Sequence, residues 1–315
     1  MQAILLQHYG GLDALQIAEI PTPIPEKGEV LVKVKAFTIS PLEAKTRRGE
    51  AKLFVRRKLP MVMGSDFAGD VVAVGEGVPG YKVGDAVLGA ADPFKQAGPY
   101  GEYVVVNESQ ICSKPDGLSY EIACTLPVAG MSSLQSLRDL GKLQAGQHVL
   151  ILGAAGALGH IGIQWAKHIG ATVTAVCRGA NADFVRSCGA DSVIDYTKED
   201  VFSKPDRYDV VFDAVDKYSF ANAQKVLKKG GIYVNTMPKP TRMLSSLLNP
   251  FRSKKMALLL MKPSPNDMAL VVKMAADGIL KVHLDKIYEG LNSIQEATQY
   301  LEAEHVRGKL LIRLT

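Results

Sequence analysis

Apolar and polar side chains alternate along Val30–Phe37 (VLVKVKAF), the period of a strand with one face buried. Short apolar runs follow at Asp70–Val74, Ala86–Leu88 and Tyr103–Val106, among glycines at 64, 69, 75, 77, 80, 84 and 89. Many short strands with glycine-rich turns predict a small barrel or partly open sheet over the first 120 residues.

The pattern changes near residue 125. From there to about residue 280, strand-sized apolar runs alternate with stretches of helical period. Gln147–Leu152 (QHVLIL) predicts a strand. Leu158, Ile161, Trp165 and Ile169, three and four apart, predict a helix that stops at Gly170. Thr172–Cys177, Ser192–Tyr196, Tyr208–Asp213, Ile232–Asn235 and Ala257–Met261 extend the strands. Helices are expected from an Asn181 cap to Gly189, and over Phe220–Lys229 before the Gly230-Gly231 pair. Repeated β-α units require right-handed crossovers and a parallel sheet covered on both faces. The last residues revert to helix (Ser293–Glu304) and strand (Lys309–Leu314), and that closing strand is expected to rejoin the first domain. The fold class is therefore α/β. A Rossmann-type doubly wound parallel sheet is expected over residues 123–278, and a discontinuous β-rich domain over 1–122 and 279–315.

A chain of 315 residues has room for two such domains, and 47% hydrophobic with 22% charged residues excludes a disordered or fibrous chain. The four cysteines (112, 124, 177, 188) show no CxxC pairing, so neither a thiolate zinc site nor a disulfide framework is suggested. No basic start precedes an apolar run, and no apolar stretch reaches the length of a membrane span, so a cytoplasmic protein is expected. The net charge of +5 permits an anionic ligand without demanding one.

Leu150–Gly159 (LILGAAGALG) carries the most chemistry. Between a buried strand and a helix start lie Ala154, Gly156 and Gly159, an A-x-G-x-x-G one substitution from the dinucleotide fingerprint. Gly156 lets the backbone approach a pyrophosphate, Gly159 lets helix and strand pack closely, and the helix N-terminus offers unpaired N–H groups to the anion. A tight strand-to-helix turn without a ligand is the competing reading. An NAD site places an acid at the end of the second strand, whereas Cys177-Arg178-Gly179-Ala180-Asn181 has none before Asp183. Arg178 is a planar donor suited to a 2′-phosphate, with Asn181 beside it, and NADP(H) is the expected cofactor. A solvated loop arginine and a plain helix cap are the alternatives for these two residues.

Further motifs run in order along the whole chain. Ser40-Pro41-Leu42-Glu43 is followed by Lys45 and Arg48-Gly49, and Gly64-Ser65-Asp66-Phe67-Ala68-Gly69 by Val83-Gly84-Asp85-Ala86-Val87. Leu126-Pro127, Gly130 and Ser132 precede the nucleotide fold. Gly189-Ala190-Asp191, Ile194-Asp195-Tyr196, Gly230-Gly231 and Arg307-Gly308-Lys309-Leu310 come after its fingerprint. With them the sequence resembles the medium-chain dehydrogenase/reductase superfamily, in its zinc-free, zeta-crystallin-like quinone oxidoreductase branch. The resemblance implies a GroES-like β-rich domain and NADPH-dependent reduction of a quinone or of an α,β-unsaturated carbonyl. It also implies a homodimer formed through the edge of the nucleotide-binding sheet. Ser132 would contact the nicotinamide end, and Ala155, Gly156, Ala157 and Leu158 the pyrophosphate. Arg178 and Tyr196 would approach the adenosine phosphate, while Val215, Thr236 and Met237 would flank the nicotinamide ribose. Tyr196 as a strand-end aromatic packed on the surface is an equal alternative.

Zinc relatives hold their metal through a cysteine near the first motif and a later Gly-His-Glu. Here residues 36–66 contain no cysteine or histidine, Gly64-Ser65-Asp66 replaces Gly-His-Glu, and the six histidines lie elsewhere. No metal is expected, and without a Lewis acid nothing lowers an alcohol's pKa for hydride donation. An electrophilic small-molecule acceptor needs none. Ser40, Glu43 and Lys45 are pocket residues by position, with no assigned general acid. Ser40 and Glu43 stand for the usual Asn and Asp, Ala44 for an aromatic, and Ser132 for Thr. Asp216 replaces a common glycine and is expected to put a negative charge near the cofactor.

Lys45, Arg47, Arg48, Lys52, Arg56, Arg57 and Lys58 crowd seven cations into fourteen residues. A solvated outer face explains them more simply than a ligand does. The competing function class is an NADPH-binding protein with incidental catalysis that acts on RNA or a protein partner. Phe54 is the lone aromatic of the segment, so nucleic acid is not expected.

Overall fold

The computed structural model describes residues 1–52, 58–92, 97–237, 239–303 and 306–314. The chain divides into two compact units. One comprises Met1–Val128, Pro263–Ala276 and Val282–Thr315; the other comprises Ala129–Lys262 and Asp277–Lys281. The helix Pro265–Ala276, which the sequence assigns to the nucleotide-binding part, groups with the first unit.

The second unit is built on a six-stranded parallel sheet. Its strand order is Ser192–Asp195, Thr172–Cys177, His148–Leu152, Tyr208–Asp213, Leu227–Asn235, Lys255–Leu258. In chain order that is 3-2-1-4-5-6, the doubly wound arrangement, and its switch point lies where His148–Leu152 meets Tyr208–Asp213. The central strands read as continuous apolar runs because both their faces are buried, as Val149, Leu150, Ile151 and Leu152 all are. The helix Ala157–His168 follows the first strand and ends before Gly170, which takes the left-handed conformation at φ 83°.

In the first unit a mostly antiparallel sheet runs Leu284–Glu289, Lys309–Arg313, Glu29–Ile39, Asp66–Val74, Ala86–Ala90, Ile111–Ser113, and Tyr103–Asn107 pairs alongside Glu29–Ile39. The closing strand does rejoin this domain, with Ile312 opposite Phe37. A smaller sheet, Leu15–Glu19, Gln2–Leu6, Met61–Val62, escapes the sequence pattern because its strands are short and partly exposed.

Three expectations need correction. The helix from Phe220 stops at Val226, because Leu227 turns extended and pairs with Tyr208, so Gly230-Gly231 lies inside a strand. Asn181 precedes the helix Ala182–Ser187, but its side chain makes no capping bond. Nor is the basic segment a uniformly solvated face. Arg47 is buried and donates both Nη2 hydrogen bonds to Glu302 at 2.8 Å, and Arg48 bonds Glu50 at 2.6 Å and also reaches Glu302. Arg56 and Arg57 lie outside the described residues.

Candidate active site

The phosphate loop has the geometry its glycines predict. Gly153 takes φ 76°, and a Cβ there would meet the Val215 side chain at 2.1 Å. A Cβ on Gly159 would sit 2.3 Å from the Gly153 carbonyl oxygen and 2.6 Å from the Ala154 Cα, so helix and strand pack backbone to backbone. Gly156, by contrast, would meet only the Gly153 oxygen at 3.5 Å, which leaves open space over the loop. Gly156 is the N-cap residue of Ala157–His168 and offers no side chain to the first turn. The amides of Ala157, Leu158 and Gly159 have no carbonyl one turn back in the helix, and they form a donor set for an anion. Ala155 is buried beside them. This cradle fits a dinucleotide pyrophosphate.

At the end of the second strand, Arg178 and Tyr196 come together: Arg178 Nε donates to the Tyr196 hydroxyl at 3.1 Å. The Lys217 ammonium lies 5.0 Å from the centre of the Tyr196 ring, so two cations bracket one phenol. Nothing in the sequence points to Lys217 as part of the site, because only the fold brings residue 217 beside Tyr196, just past the strand that ends at 195. The nearby Asp195 carboxylate is tied into its own turn by the Thr197 hydroxyl at 2.7 Å and the Thr197 amide at 3.0 Å. Those bonds hold its carboxyl below the usual aspartate range. Asn181 is buried next to this cluster in sequence.

The loop after Tyr208–Asp213 is organised by Asp213, which is fully buried. Its carboxylate accepts the amides of Val215 and Asp216 at 3.1 and 2.9 Å, the Tyr233 hydroxyl at 2.7 Å and the Asn235 side-chain amide at 3.1 Å. The sequence marked Asp213 only as the end of a strand. Thr236 Oγ1 donates to the Asp213 carbonyl at 3.3 Å, and the Met237 amide to the Asn235 side chain at 2.9 Å. One network thus positions Val215, Thr236 and Met237. Asp216 takes φ 57°, which explains why glycine suits this position. Its carboxylate is buried and ion-paired with Lys239 at 2.9 Å and with Arg242, so the added charge is neutralised. Ser132 is buried in the helix Pro127–Leu134. Next to it, the Ser133 hydroxyl donates to the Leu158 carbonyl at 2.9 Å, linking that helix to the phosphate loop.

The pocket residues of the first unit form their own cluster. Ser40 caps the helix Pro41–Arg47 in a capping box with Glu43, and Pro41 stands at its first position. Glu43 is buried. It accepts the Ser40 amide at 3.0 Å, the Ser65 hydroxyl at 2.7 Å and the Ser40 hydroxyl. Burial pushes its carboxyl above the ordinary glutamate value despite the bonds from Ser40 and Ser65. A small cavity beside it is lined by Arg47, Tyr100 and Thr298, where the Arg47 Nε and the Tyr100 hydroxyl have no hydrogen-bond partner among the described residues. Lys45 is half-buried on the same helix. Asp66 pairs with the buried Lys309 at 2.9 Å and accepts the Thr38 hydroxyl at 3.0 Å and the Val128 amide at 2.7 Å.

These groups do not fit a catalytic zinc. Where a metal site would need thiolate or imidazole, the donors are two serine hydroxyls committed to Glu43 and a carboxylate bonded to an ammonium. Among the described residues, no group of three histidine, cysteine or acidic side chains is placed to hold a metal.

A nucleotide-binding sheet of this order, with its phosphate loop, and a β-rich unit defined by strand-paired glycine turns mark a two-domain oxidoreductase. The family models agree: residues 26–116 match the alcohol dehydrogenase GroES-like domain, and residues 188–312 match a family described as zinc-binding dehydrogenase. The chain belongs to the medium-chain dehydrogenase/reductase superfamily, among its quinone oxidoreductases. It is 30% identical to the chloroplast envelope quinone oxidoreductase homolog of Arabidopsis thaliana, over 99% of this chain and 98% of that one. It is 39% identical to the chloroplastic NADPH-dependent alkenal/one oxidoreductase of the same plant, over 73% of this chain and 61% of that one. Its fold matches the quinone oxidoreductase from Coxiella burnetii with a TM-score of 0.92 and 31% identity, covering 100% of this chain and 99% of the other. No helix among the described residues is long and apolar enough to cross a membrane.

Proposed function

We propose that this enzyme transfers hydride from NADPH, without zinc, to a quinone or to the activated double bond of an α,β-unsaturated carbonyl. The observation that carries the cofactor choice is Arg178 bonded to Tyr196 with Lys217 across the same ring, a cationic pair where an NAD site holds an acid. Relatives named for quinone and alkenal/one reduction support the acceptor class.

Bound NADPH supplies the hydride. The protein's residues bind and orient. The amides of Ala157, Leu158 and Gly159 take the pyrophosphate, with Ala155 and Gly156 shaping the loop. Arg178, with Asn181 and Tyr196, takes the 2′-phosphate. Val215, Thr236 and Met237, held by Asp213, flank the nicotinamide ribose, and Ser132 meets the nicotinamide end. Ser40, Glu43 and Lys45 shape the acceptor pocket. Glu43 stays protonated to a higher pH than an ordinary glutamate. Solvent completes the protonation. The four unpaired cysteines support a reducing compartment, the cytoplasm in this reading, where the curated relatives are chloroplastic or mitochondrial.

The test is turnover. NADPH oxidation is followed against a panel of quinones and 2-enals, with and without a zinc chelator. Turnover well above the enzyme-free rate, unchanged by the chelator, is expected. Silence across the panel with NADPH bound would overturn the reading.

A further inference from the structure

Glu43 sits behind Ser40 in an arrangement that lets one hydroxyl change partners. Its carboxylate takes the Ser40 amide at 3.0 Å, the Ser65 hydroxyl at 2.7 Å and the Ser40 hydroxyl. The amide can only donate, whereas a hydroxyl donates or accepts. Among the described residues, a proton carried by Glu43 thus has two hydrogen-bond acceptors, the Oγ atoms of Ser40 and Ser65. Ser65 is buried; Ser40 is half-buried and opens the helix Pro41–Arg47. Ser40 Oγ also accepts the Leu42 amide at 3.2 Å. With Glu43 ionised, the Ser40 hydroxyl hydrogen is held by the carboxylate. With Glu43 protonated, the Leu42 amide and the Glu43 acid occupy both lone pairs of Ser40 Oγ, and its own hydrogen is released to an outside acceptor. An ordinary capping box needs neither a second hydroxyl from another strand nor a buried glutamate.

We propose that the Ser40 hydroxyl protonates the reduced acceptor and that Glu43 reloads it. The assignment rests on the proposed reaction, in which both residues shape the acceptor pocket. Hydride addition leaves the acceptor an oxyanion, the enolate of a carbonyl or the monoanion of a hydroquinone. The Ser40 O–H proton passes to that anion, and the electron pair of the broken bond stays on Oγ, which takes the carboxylic proton of Glu43. Glu43 is left a carboxylate that solvent protonates again, so solvent remains the ultimate source of the proton. The surroundings favour a loaded Glu43. Burial raises its carboxyl above the ordinary glutamate value despite the bonds from Ser40 and Ser65, and the Asp66 carboxylate, itself paired with Lys309, adds to this. Arg47 and Tyr100 line the cavity beside it. The Arg47 charge is committed to Glu302 at 2.8 Å, and burial pushes the Tyr100 phenol up, so it stays neutral. Lys45 is half-buried on the same helix.

Two measurements test this. In the free protein, the infrared difference between native and Glu43→Gln should show a carboxylic acid carbonyl band that persists above the pH at which ordinary glutamates ionise. Turnover of a 2-enal is then followed against pH, and native kcat should fall as Glu43 loses its proton. Glu43→Gln can keep the capping bond but cannot give up a proton. It should lose that limb and lower kcat about a hundredfold, with KM changed less than about twofold. Ser40→Asn, a good helix cap without a hydroxyl, should do the same, and Ser40→Thr should keep the native profile. If Glu43→Gln does not fold, the two Ser40 variants decide alone. Native kcat in Ser40→Asn or Glu43→Gln would mean that solvent protonates the acceptor directly. A loss equal at every pH, and shared by Ser40→Thr, would mark a structural cap. Either result, or an absent Glu43 band, overturns this proposal and leaves the hydride transfer standing. A native enzyme silent across the acceptor panel overturns both.

Discussion

The guanidinium of Arg178 donates to the hydroxyl of Tyr196 at 3.1 Å, joining the end of one strand to the residue just past its neighbour in the nucleotide-binding sheet. The bond restrains an exposed side chain at the end of the second strand, where the proposed cofactor would carry the 2′-phosphate that separates NADPH from NADH. A hydrogen bond to a charged group contributes about 1.5–3 kcal/mol, so Arg178→Ala should raise the Kd for NADPH at least about tenfold. NADH should be affected less than about twofold. Fluorescence titration with both nucleotides checks this, and equal losses for both would remove the assignment.

Glu43 gives a prediction with a defined sign. Its native carboxyl holds a proton above the unfolded value of 4.5, so the native state binds more protons than the unfolded chain just above that pH. The contribution of this group to stability is therefore full below the unfolded value and is lost as pH rises through the raised native one. Glu43→Gln removes the titration and can keep the capping geometry. Its melting temperature should fall less than the native protein's between about pH 4.5 and neutrality. Glu43→Ala leaves the Ser40 amide and the Ser65 hydroxyl without their acceptor and should cost about 1–3 kcal/mol at any pH. Identical melting profiles for the native protein and Glu43→Gln would show that the carboxyl does not titrate there.

Lys309 and Asp66 are both buried, and the ammonium lies 2.9 Å from the carboxylate. Removing one partner strands the other in a poorly solvating interior. Lys309→Met should thus cost about 3–5 kcal/mol, read by denaturant unfolding. The double variant D66N/K309M removes both charges and should recover much of that loss. If the single and double variants prove equally destabilised, packing of the lysine stem rather than charge pairing accounts for the cost.

At Asp216, backbone and charge can be separated. Burial pushes its carboxyl up, but Lys239 and Arg242 outweigh that and hold it below the unfolded value of 3.8. The resulting stabilisation is present above that value and lost as pH falls through the depressed native one. Asp216→Asn should be about 1–3 kcal/mol less stable near neutrality, and the gap should close in acid. Because φ is 57° here, Asp216→Gly should be about 1 kcal/mol more stable than Asp216→Ala. Urea unfolding of the three variants at neutral and acidic pH separates the two effects.

What the sequence reveals depends on how local the cause is. The six parallel strands and the phosphate loop are legible because burial on both faces writes continuous apolar runs, and because a glycine turn between strand and helix is a short-range pattern. The Ser40–Glu43 capping box is equally local, yet its S-P-x-E spacing reads first as a family motif and only the fold shows that it starts a helix. Longer connections leave no such trace. Arg47 pairs with Glu302 across 255 residues, which turns one member of an apparent solvated basic run into a buried, charge-paired residue. The Asp213 hub gathers Tyr233 and Asn235 from the next strand, and Lys217 reaches Tyr196 only once the loop is folded.

The phosphate loop allows a substitution that separates packing from binding. Gly156 and Gly159 both belong to the fingerprint, but their surroundings differ. A methyl group on Gly159 would lie 2.3 Å from the Gly153 oxygen and 2.6 Å from the Ala154 Cα, both backbone atoms that cannot step aside. Gly159→Ala must push the helix Ala157–His168 away from the strand His148–Leu152, and overpacking of this kind costs about 1–3 kcal/mol. On Gly156 the same methyl meets only one oxygen, at 3.5 Å, and it projects into the space a pyrophosphate would take. Gly156→Ala should therefore melt within about 1 kcal/mol of the native protein, since the residue is an extended cap position. Its NADPH affinity should nonetheless drop by more than tenfold, the loss expected when a close backbone contact to an anion is blocked. Differential scanning calorimetry and nucleotide titration of the two variants should thus give opposite rankings: Gly159→Ala the less stable, Gly156→Ala the weaker binder relative to its stability. A Gly156→Ala protein that binds NADPH like the native chain would mean that the pyrophosphate does not lie against this turn.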